Sequence, residues 1–289
     1  MGSTGKSQHV AILGCGVMGA AVLEGWLKNG SGYTFAAHTR TEASLNSLKN
    51  DLGDLSGNVK FSHGNDQIAA TAKDADIVLL GFLPKQLAEV LKLPGLADAL
   101  NGKSIISMLA GVPISQVQDA IISGSSGSKA SDFNVSRIIP TLGVKIGESV
   151  TLIADPAEPT ESKESAQLIH SLLELIGAPQ HIPEALMDEA TAIQSAVHAL
   201  AIVGVDGATD ASVADGLPRS TALGLVAASL QSAAGLMARG PYSPESLKAG
   251  MSTPGGITLN ALVQLNAEAT PGIAKAVRGA VKFTKSMNE

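Results

Sequence analysis

A glycine-rich turn between an apolar strand pattern and a helical pattern constrains this 289-residue chain most strongly. The turn, Gly14-Cys15-Gly16-Val17-Met18-Gly19, has the spacing G-x-G-x-x-G and follows the strand pattern His9 to Leu13. In this spacing the first glycine permits a tight turn, the second lets the backbone approach a pyrophosphate, and the third lets helix pack on strand. The helix N-terminus then presents unpaired N–H groups to an anion. The turn predicts dinucleotide binding, and the alternative is a purely structural strand-to-helix turn.

Short apolar runs alternate with helical periods from residue 9 to about residue 155. Such alternation is typical of an α/β domain whose parallel strands are joined by helical crossovers. It predicts a doubly wound parallel sheet. The predicted strands are His9 to Leu13, Thr34 to His38, Asp76 to Phe82, Ser104 to Met108, Arg137 to Ile139 and Val150 to Ile153. The predicted helices between them include Met18 to Asn29, Glu42 to Lys49 and Gln86 to Leu91.

Strand patterns disappear after about Pro183, and only helical runs follow, separated by Gly- and Pro-rich breakers. The helical runs are Ala185 to Val205, Pro218 to Ala238 and Thr258 to Leu265. We therefore predict two domains, residues 1–184 and residues 185–289, of which the second is all-helical. The apolar stretch Thr221 to Ala238 is short of a typical membrane span, so we expect a buried helix in a soluble bundle and no membrane.

Composition and charge narrow the class of protein. The chain carries 20 basic and 26 acidic residues, a net charge of −6, which argues against nucleic acid as a partner. The single cysteine, Cys15, excludes an intrachain disulfide and a cysteine zinc cluster, and no histidine has metal-ligand spacing. The polar run Met1 to His9 does not resemble a secretory signal. These features predict a cytoplasmic protein without a metal.

The end of the second predicted strand indicates which dinucleotide binds. NAD-binding domains usually place Asp or Glu there to accept from the ribose 2′-hydroxyl. Here Thr39, Arg40 and Thr41 follow the strand, and no acidic residue lies between Glu24 and Glu42. Hydroxyl groups and a guanidinium suit a 2′-phosphate, so the sequence favours NADPH. The alternative is that Arg40 is a solvated surface residue.

A second glycine turn, Thr253-Pro254-Gly255-Gly256-Ile257-Thr258, leads into another helical run. Its backbone N–H groups at a helix N-terminus suit a carboxylate. Thr258 could cap that helix with its hydroxyl or turn the hydroxyl toward a ligand, and composition alone favours capping.

These motifs together give the chain a resemblance to pyrroline-5-carboxylate reductases, from about residue 9 to the late 270s. The strongest part is Leu247 to Thr258, which is similar to the family signature around S-P-G-G-x-T. Supporting matches are the first glycine turn, Ala110-Gly111-Val112, Gly147-Glu148 and Asp215 to Arg219. Their order along the whole chain is more specific than either glycine motif alone.

The resemblance implies a Rossmann-like domain followed by a helical domain that forms an intertwined homodimer, sometimes built into larger rings. It implies cofactor contacts at Gly14, Cys15, Gly16, Val17, Met18, Asn65, Phe82, Leu83, Pro84, Ala110 and Gly111. It further implies that Gly255, Gly256 and Ile257 bind the substrate carboxylate while Thr258 hydrogen-bonds the ring nitrogen. Hydride transfer from NADPH to the C=N carbon of 1-pyrroline-5-carboxylate would then give L-proline, a reaction that needs little acid–base machinery.

Three runs depart from the family pattern. The family stretch near T-A-L-S-G-S-G-P-A-Y is Thr191 to Leu200 here, with Gln194 among bulkier groups and His198 where proline is expected. The family P-N-T-P run is Pro140 to Gly143, and its V-K-P run is Phe82 to Pro84 without the lysine. Gln194 and His198 are one helical turn apart, so both could face a substrate. Three alternatives stay open: a proline-forming reductase, a reductase of another cyclic imine or imino acid, and a non-catalytic NADP(H)-binding paralogue.

Overall fold

The computed structural model describes residues 7–125, 127–157 and 162–286. The chain divides into two compact units, Met1–Thr191 and Ala192–Glu289. The predicted boundary near Glu184 precedes the helix Met187–Ala214, whereas the two units separate within that helix.

The first unit is built on one sheet of eight strands in the order β3-β2-β1-β4-β5-β6-β7-β8. The strands are β1 Gln8–Leu13, β2 Tyr33–Thr39, β3 Val59–His63, β4 Ile77–Leu80, β5 Ser104–Ser107, β6 Asn134–Ile139, β7 Ser149–Asp155 and β8 Gly177–Pro183. Strands β1 to β6 pair in parallel. The predicted doubly wound, Rossmann-like architecture is confirmed.

One pair of strands at the far edge departs from the predicted parallel arrangement. Strand β7 pairs antiparallel with β6, and β8 then pairs parallel with β7. Only residues 140–148 connect β6 to β7. A parallel crossover needs a dozen or more residues, so this connection is too short for one and the chain turns back instead.

Helices cover both faces of the sheet and bury two apolar clusters against it. They are α1 Val17–Asn29, α2 Glu42–Leu52, α3 Ile68–Lys73, α4 Leu87–Leu91, α5 Leu96–Ala99, α6 Ile114–Gly124 and α7 Lys163–Glu174. Trp26 of α1 is fully buried, stacks near Phe35, and donates its indole N–H to the carbonyl of Leu172 at 2.9 Å. Because Trp26 is the only tryptophan, its fluorescence reports on the packing of this unit.

The last four helices are α8 Met187–Ala214, α9 Arg219–Arg239, α10 Pro244–Met251 and α11 Ile257–Ser286. Within the described part of residues 192–289, only Ala192, Thr209 and Ala222 are buried. The helix predicted at Thr221 to Ala238 is present, but the prediction that it is buried is wrong for a single chain. Large apolar side chains such as Ile202, Val203 and Phe283 are each more than 60% exposed. This unit therefore presents a large apolar surface that its own residues do not cover.

Two helical stretches, Glu184–Ala214 and Arg219–Arg239, are long and apolar enough to cross a membrane by length and composition. Only 6% of the most apolar window in each is buried. A buried helix of a helical assembly meets the same criterion.

Candidate functional site

The predicted cofactor residues lie together at the carboxyl ends of five neighbouring parallel strands. They lie at or just beyond the ends of β1, β2, β3, β4 and β5, and they are Gly14 to Met18, Thr39 to Thr41, Asn65, Phe82 to Pro84, and Ala110 with Gly111. The strand order reverses between β1 and β4, so the connections on either side leave in opposite directions. In open α/β sheets, ligands bind in the crevice formed at this switch point.

The three glycines of the first turn differ in their surroundings. Gly14 has φ +81°, and a Cβ there would lie 2.7 Å from the backbone nitrogen of Phe82. At Gly19 the added atom would lie 3.3 Å from Ile12, so helix α1 packs closely on β1. A Cβ at Gly16 would meet nothing within 4 Å. Gly16 therefore borders open space at the N-terminus of α1, as a turn that receives a pyrophosphate requires.

The N-terminus of α1 has the electrostatics of an anion site. Gly16 is the N-cap of α1 and has no side chain with which to cap the helix. The first turn of α1 contains no acidic residue. The first N–H groups of a helix have no intrahelical acceptors. At this helix they border the open space beside Gly16, together with the exposed Val17. A phosphate placed there would receive backbone hydrogen bonds and the favourable end of the helix dipole.

The carbonyl of His38 fixes the turn to the neighbouring strand. It accepts the N–H groups of Gly14 at 3.0 Å and of Cys15 at 2.9 Å. The His38 ring is buried, and its Nδ1 lies 3.0 Å from the hydroxyl of Ser62, which lies 2.7 Å from that of Thr71. Burial, with a smaller contribution from His63, lowers the pKa of His38 from 6.5 to about 4. The ring is therefore neutral at physiological pH.

The three residues Thr39 to Thr41 at the end of β2 have different roles in the structure. Thr39 is buried and donates its hydroxyl to the carbonyl of Thr41 at 3.0 Å. Thr41 is the N-cap of α2, and its hydroxyl accepts the N–H of Ser44 at 3.2 Å. Arg40 is exposed and forms no ion pair or hydrogen bond with any described residue. Of the three, Arg40 is the side chain most available to a 2′-phosphate.

The loops after β3 and β4 complete this edge. Gly64 donates its N–H to the carbonyl of Thr39 at 3.2 Å, which holds the exposed Asn65 beside the end of β2. Phe82 is half-buried, and Leu83 is 57% exposed.

Cys15 is buried within the first glycine turn, and burial raises the pKa of its thiol to about 12. A neutral, enclosed thiol fills space and is not a nucleophile.

The second glycine turn opens helix α11. Gly255 has φ +72°, and Gly256 donates its N–H to the carbonyl of Thr253 at 2.9 Å, so this group is already used within the turn. Helix α11 begins at Ile257, so Thr258 lies inside its first turn and the expected capping role is wrong. A first-turn residue has no helical carbonyl four positions earlier to receive its hydroxyl.

The Thr258 hydroxyl differs from those of other helical threonines. Thr191, Thr209 and Thr284 each donate to the carbonyl four residues earlier, at 2.7, 2.7 and 3.1 Å. Thr258 is half-buried, and its hydroxyl has no hydrogen-bond partner among the residues that the structure describes. Ile257 beside it is 90% exposed. The start of α11 therefore presents a free hydroxyl and free backbone N–H groups.

The two unusual polar residues lie on α8. Gln194 is half-buried and His198 is exposed, one turn further along. The Nδ1 of His198 lies 3.1 Å from the carbonyl of Gln194, so this nitrogen carries the proton in the hydrogen bond. The Nε2 of His198 is then the ring nitrogen that faces outward. No group of three metal-ligating side chains occurs among the described residues.

Comparison with known proteins shows the family to which the chain belongs. A family model described as "NADP oxidoreductase coenzyme F420-dependent" matches residues 9–111, and one described as "Pyrroline-5-carboxylate reductase dimerisation" matches residues 184–287. A pyrroline-5-carboxylate reductase of Lophium arboricola is 33% identical over 99% of this chain and 95% of its own. The chain belongs to the pyrroline-5-carboxylate reductase family. A Neurospora crassa member is 30% identical over 94% of this chain and 90% of its own.

Solved structures of pyrroline-5-carboxylate reductases share the fold. A Plasmodium falciparum pyrroline carboxylate reductase, whose structure holds NADP, superposes with a TM-score of 0.80 at 20% identity. The match covers 98% of this chain and 99% of the other. At that identity the likeness establishes the architecture, and the roles of individual side chains rest on the geometry above.

The buried His38 predicts a pH-dependent stability. Because its folded pKa lies below 6.5, its contribution to stability is complete above pH 6.5 and is lost as the pH falls toward 4. Between pH 7.5 and 5.0, the free energy of unfolding should fall by about 2 kcal/mol more in the wild type than in His38→Gln. Urea unfolding followed by Trp26 fluorescence measures both. Parallel pH profiles for the two proteins would contradict this account.

The open space at Gly16 predicts a variant that folds but binds nucleotide poorly. Gly16→Val should keep the wild-type melting temperature, since its side chain meets no protein atom within 4 Å of the Cβ position. It should weaken NADPH binding by at least about ten-fold, or 1.4 kcal/mol, because the side chain fills the space beside the helix N-terminus. Titration of cofactor fluorescence measures this. Gly57→Val, at another open glycine, is the control, and equal NADPH affinity in both variants would remove the turn from the site.

Proposed function

We propose that this family member uses NADPH to reduce the C=N bond of a cyclic imino acid, with 1-pyrroline-5-carboxylate as substrate and L-proline as product. The observation that carries the proposal is the presence in one chain of two glycine turns, one at α1 and one at α11, and of the unpartnered hydroxyl of Thr258. The first turn suits a pyrophosphate and the second suits a carboxylate. The chain is then an NADP-dependent oxidoreductase acting on a CH–NH bond.

The residues along the sheet edge fit NADPH. The N–H groups at the start of α1 receive the pyrophosphate in the open space beside Gly16. Arg40, exposed and without an ion pair among the described residues, receives the 2′-phosphate. Asn65, Phe82 to Pro84, Ala110 and Gly111 line the remaining loops of the same edge. When bound, NADPH supplies the hydride that adds to the carbon of the C=N bond.

The start of α11 holds the imino acid. Backbone N–H groups of Gly255 and Ile257 bind the substrate carboxylate, with Gly256 kept in the turn by its bond to Thr253. Thr258 then hydrogen-bonds the ring nitrogen and orients the C=N bond. A protonated imine is already electrophilic, so orientation and electrostatics are what this chain must supply. The product nitrogen keeps the proton that the imine carried.

The second unit serves as a dimerisation domain. Its exposed apolar side chains exceed what a monomer usually leaves in water, and residues 184–287 match a dimerisation family. We therefore propose a homodimer in which paired helical units cover α8 and α9, and that a larger ring is built from such dimers. A cytoplasmic location, and the absence of nucleic-acid and membrane partners, stay predictions.

One observation on α8 favours a cyclic imino acid other than 1-pyrroline-5-carboxylate as the substrate. His198 presents Nε2 outward where the family pattern has proline, and Gln194 lies one turn before it. These two polar side chains lie within the run Thr191 to Leu200 that departs from the family pattern. They suit a substrate with a further polar substituent. Reduction of another cyclic imino acid is thus the second candidate.

Steady-state turnover decides between these functions. The purified protein with NADPH should reduce 1-pyrroline-5-carboxylate, measured as loss of the nicotinamide absorbance, and should show a lower KM for NADPH than for NADH. A panel with 1-piperideine carboxylates and hydroxylated pyrroline carboxylates tests the second candidate. Turnover of another imine alone would assign that substrate. Tight NADPH binding without turnover of any imine would contradict the proposed activity and leave a non-catalytic binding protein.

The free hydroxyl of Thr258 predicts a specific loss of rate. Thr258→Ala should lower kcat by roughly ten-fold to a hundred-fold, the value of one hydrogen bond to a charged group, while NADPH affinity stays unchanged. Thr258→Ser should recover most of the rate, since it restores the hydroxyl. Thr284→Ala is the matched control, because that hydroxyl is bound within its own helix. A wild-type kcat in Thr258→Ala would remove this residue from the mechanism.

A further inference from the structure

A carboxylate far away in the sequence caps helix α6. Glu184 lies three residues before α8, is half-buried, and accepts the N–H of Ile114 through Oε1 at 2.7 Å. Ile114 is the first residue of α6, and the N-cap Pro113 offers no side-chain cap. The first N–H groups of a helix have no acceptor within the helix, and a negative charge is favoured at that end. Glu184 therefore supplies the cap that α6 lacks locally.

The segment that carries this carboxylate is fixed to the sheet of the same unit. Met187 is fully buried in the same apolar cluster as Ile114. Asp188 accepts through Oδ1 from the Nη2 of Arg137, a residue of β6 that is 2% exposed, at 2.6 Å. Because an unpaired buried charge is strongly unfavourable, this ion pair keeps the segment in place. Residues Glu184 to Asp188, which we call the capping segment, lie wholly within the first unit.

The loop that the cap fixes belongs to the cofactor edge. It joins β5 to α6 and contains the exposed Ala110 and Gly111, which has φ +74°. Leu109 and Val112 on either side are buried, and Val112 donates its N–H to the carbonyl of Leu109 at 3.2 Å. One end of the loop is thus held by β5. The other end is held by α6, whose first N–H is the one that the capping segment binds.

The order of the strands relates this loop to one half of the cofactor. Along the edge the strands run β2, β1, β4, β5. In the proposed function, Arg40 beyond β2 receives the 2′-phosphate, and the turn after β1 receives the pyrophosphate. The rest of an extended dinucleotide, its nicotinamide half, then continues across β4 toward β5. The loop with Ala110 and Gly111 lies at that end.

We propose that Glu184 is a positioning residue for the cofactor, because its cap on α6 holds the loop at Ala110 and Gly111 in the form that receives the nicotinamide half of NADPH. This inference rests on the proposed function. Without the carboxylate, the N–H of the buried Ile114 loses its acceptor, which is unfavourable unless the loop moves. A loop that occupies the binding form only part of the time lowers the apparent affinity of its ligand.

Titration calorimetry with two ligands tests this positioning role. One ligand is NADPH, and the other is adenosine 2′,5′-bisphosphate, which has the adenosine half and its 2′-phosphate but no nicotinamide. Glu184→Ala should weaken NADPH binding by roughly five-fold to ten-fold and leave the affinity for the bisphosphate unchanged. A general loosening of the unit would weaken both ligands. Glu184→Gln should recover most of the NADPH affinity, since its side-chain carbonyl can still accept the N–H of Ile114.

The same kind of hydrogen bond at the opposite edge of the sheet provides the matched control. Asp76 accepts the N–H of His9 through Oδ2 at 2.9 Å, at the amino ends of β4 and β1. Asp76→Ala therefore also removes a carboxylate from a backbone N–H of the first unit. It should leave the affinities for both ligands at their wild-type values.

Each outcome decides the proposal. Weaker NADPH binding in Glu184→Ala, with unchanged bisphosphate binding and recovery in Glu184→Gln, supports it. Equal NADPH affinity in Glu184→Ala and the wild type, or an equal loss for both ligands, overturns it while the proposed function stands. A wild-type protein that does not bind NADPH refutes the proposed function and this inference with it, so the wild-type titration distinguishes the two failures.

Discussion

Two hydrogen bonds to the carbonyl of His38 hold the turn on which the cofactor edge depends. They fasten Gly14 and Cys15 to β2, while the backbone of Phe82 closes on Gly14 from β4. A side chain at Gly14 would displace both neighbours, so the turn exists only because this residue lacks one. With the turn in place, the N-terminus of α1 opens beside Gly16, and the loops of five strands gather along one edge. The buried His38 ring, neutral and bonded to Ser62, keeps that carbonyl in position.

The two units meet different physical requirements. The first buries two apolar clusters around its sheet and is complete as a fold. The second leaves Ile202, Val203 and Phe283 mostly in water. A chain that exposes so much apolar surface needs another surface to cover it, and a second copy of the same helices is the simplest one. The catalytic contribution that we propose for this unit is small in residue number. A turn with free N–H groups and one hydroxyl can orient an imine, since the hydride chemistry belongs to the cofactor.

Much of the fold could be predicted from sequence because its signals are local. The first glycine turn, the alternating strands and the breakers at Gly216, Gly240 and Gly255 all coincide with the observed elements. The edge strands β3 and β8 and the helix α10 were not predicted from the sequence, because half-exposed segments carry weak periodicity. The reversal at β7 follows from connection length and was readable from the spacing of its strands. The role of the His38 carbonyl could not be predicted from the sequence, since a backbone contact between a strand and a turn leaves no signature in residue type. The ion pair between Arg137 of β6 and Asp188 of α8 could not be predicted either, because it joins residues 51 positions apart in the sequence.

In the proposed reaction, hydride is delivered to the C=N carbon of an imino acid held at the start of α11. Isotope transfer tests it most directly. The purified protein is incubated with 1-pyrroline-5-carboxylate and NADPH carrying deuterium at both C4 positions, and the product is analysed by mass spectrometry and NMR. The account predicts L-proline with one deuterium at C5, the former imine carbon. Proline without deuterium at that carbon, or no proline while NADPH is bound, would contradict it.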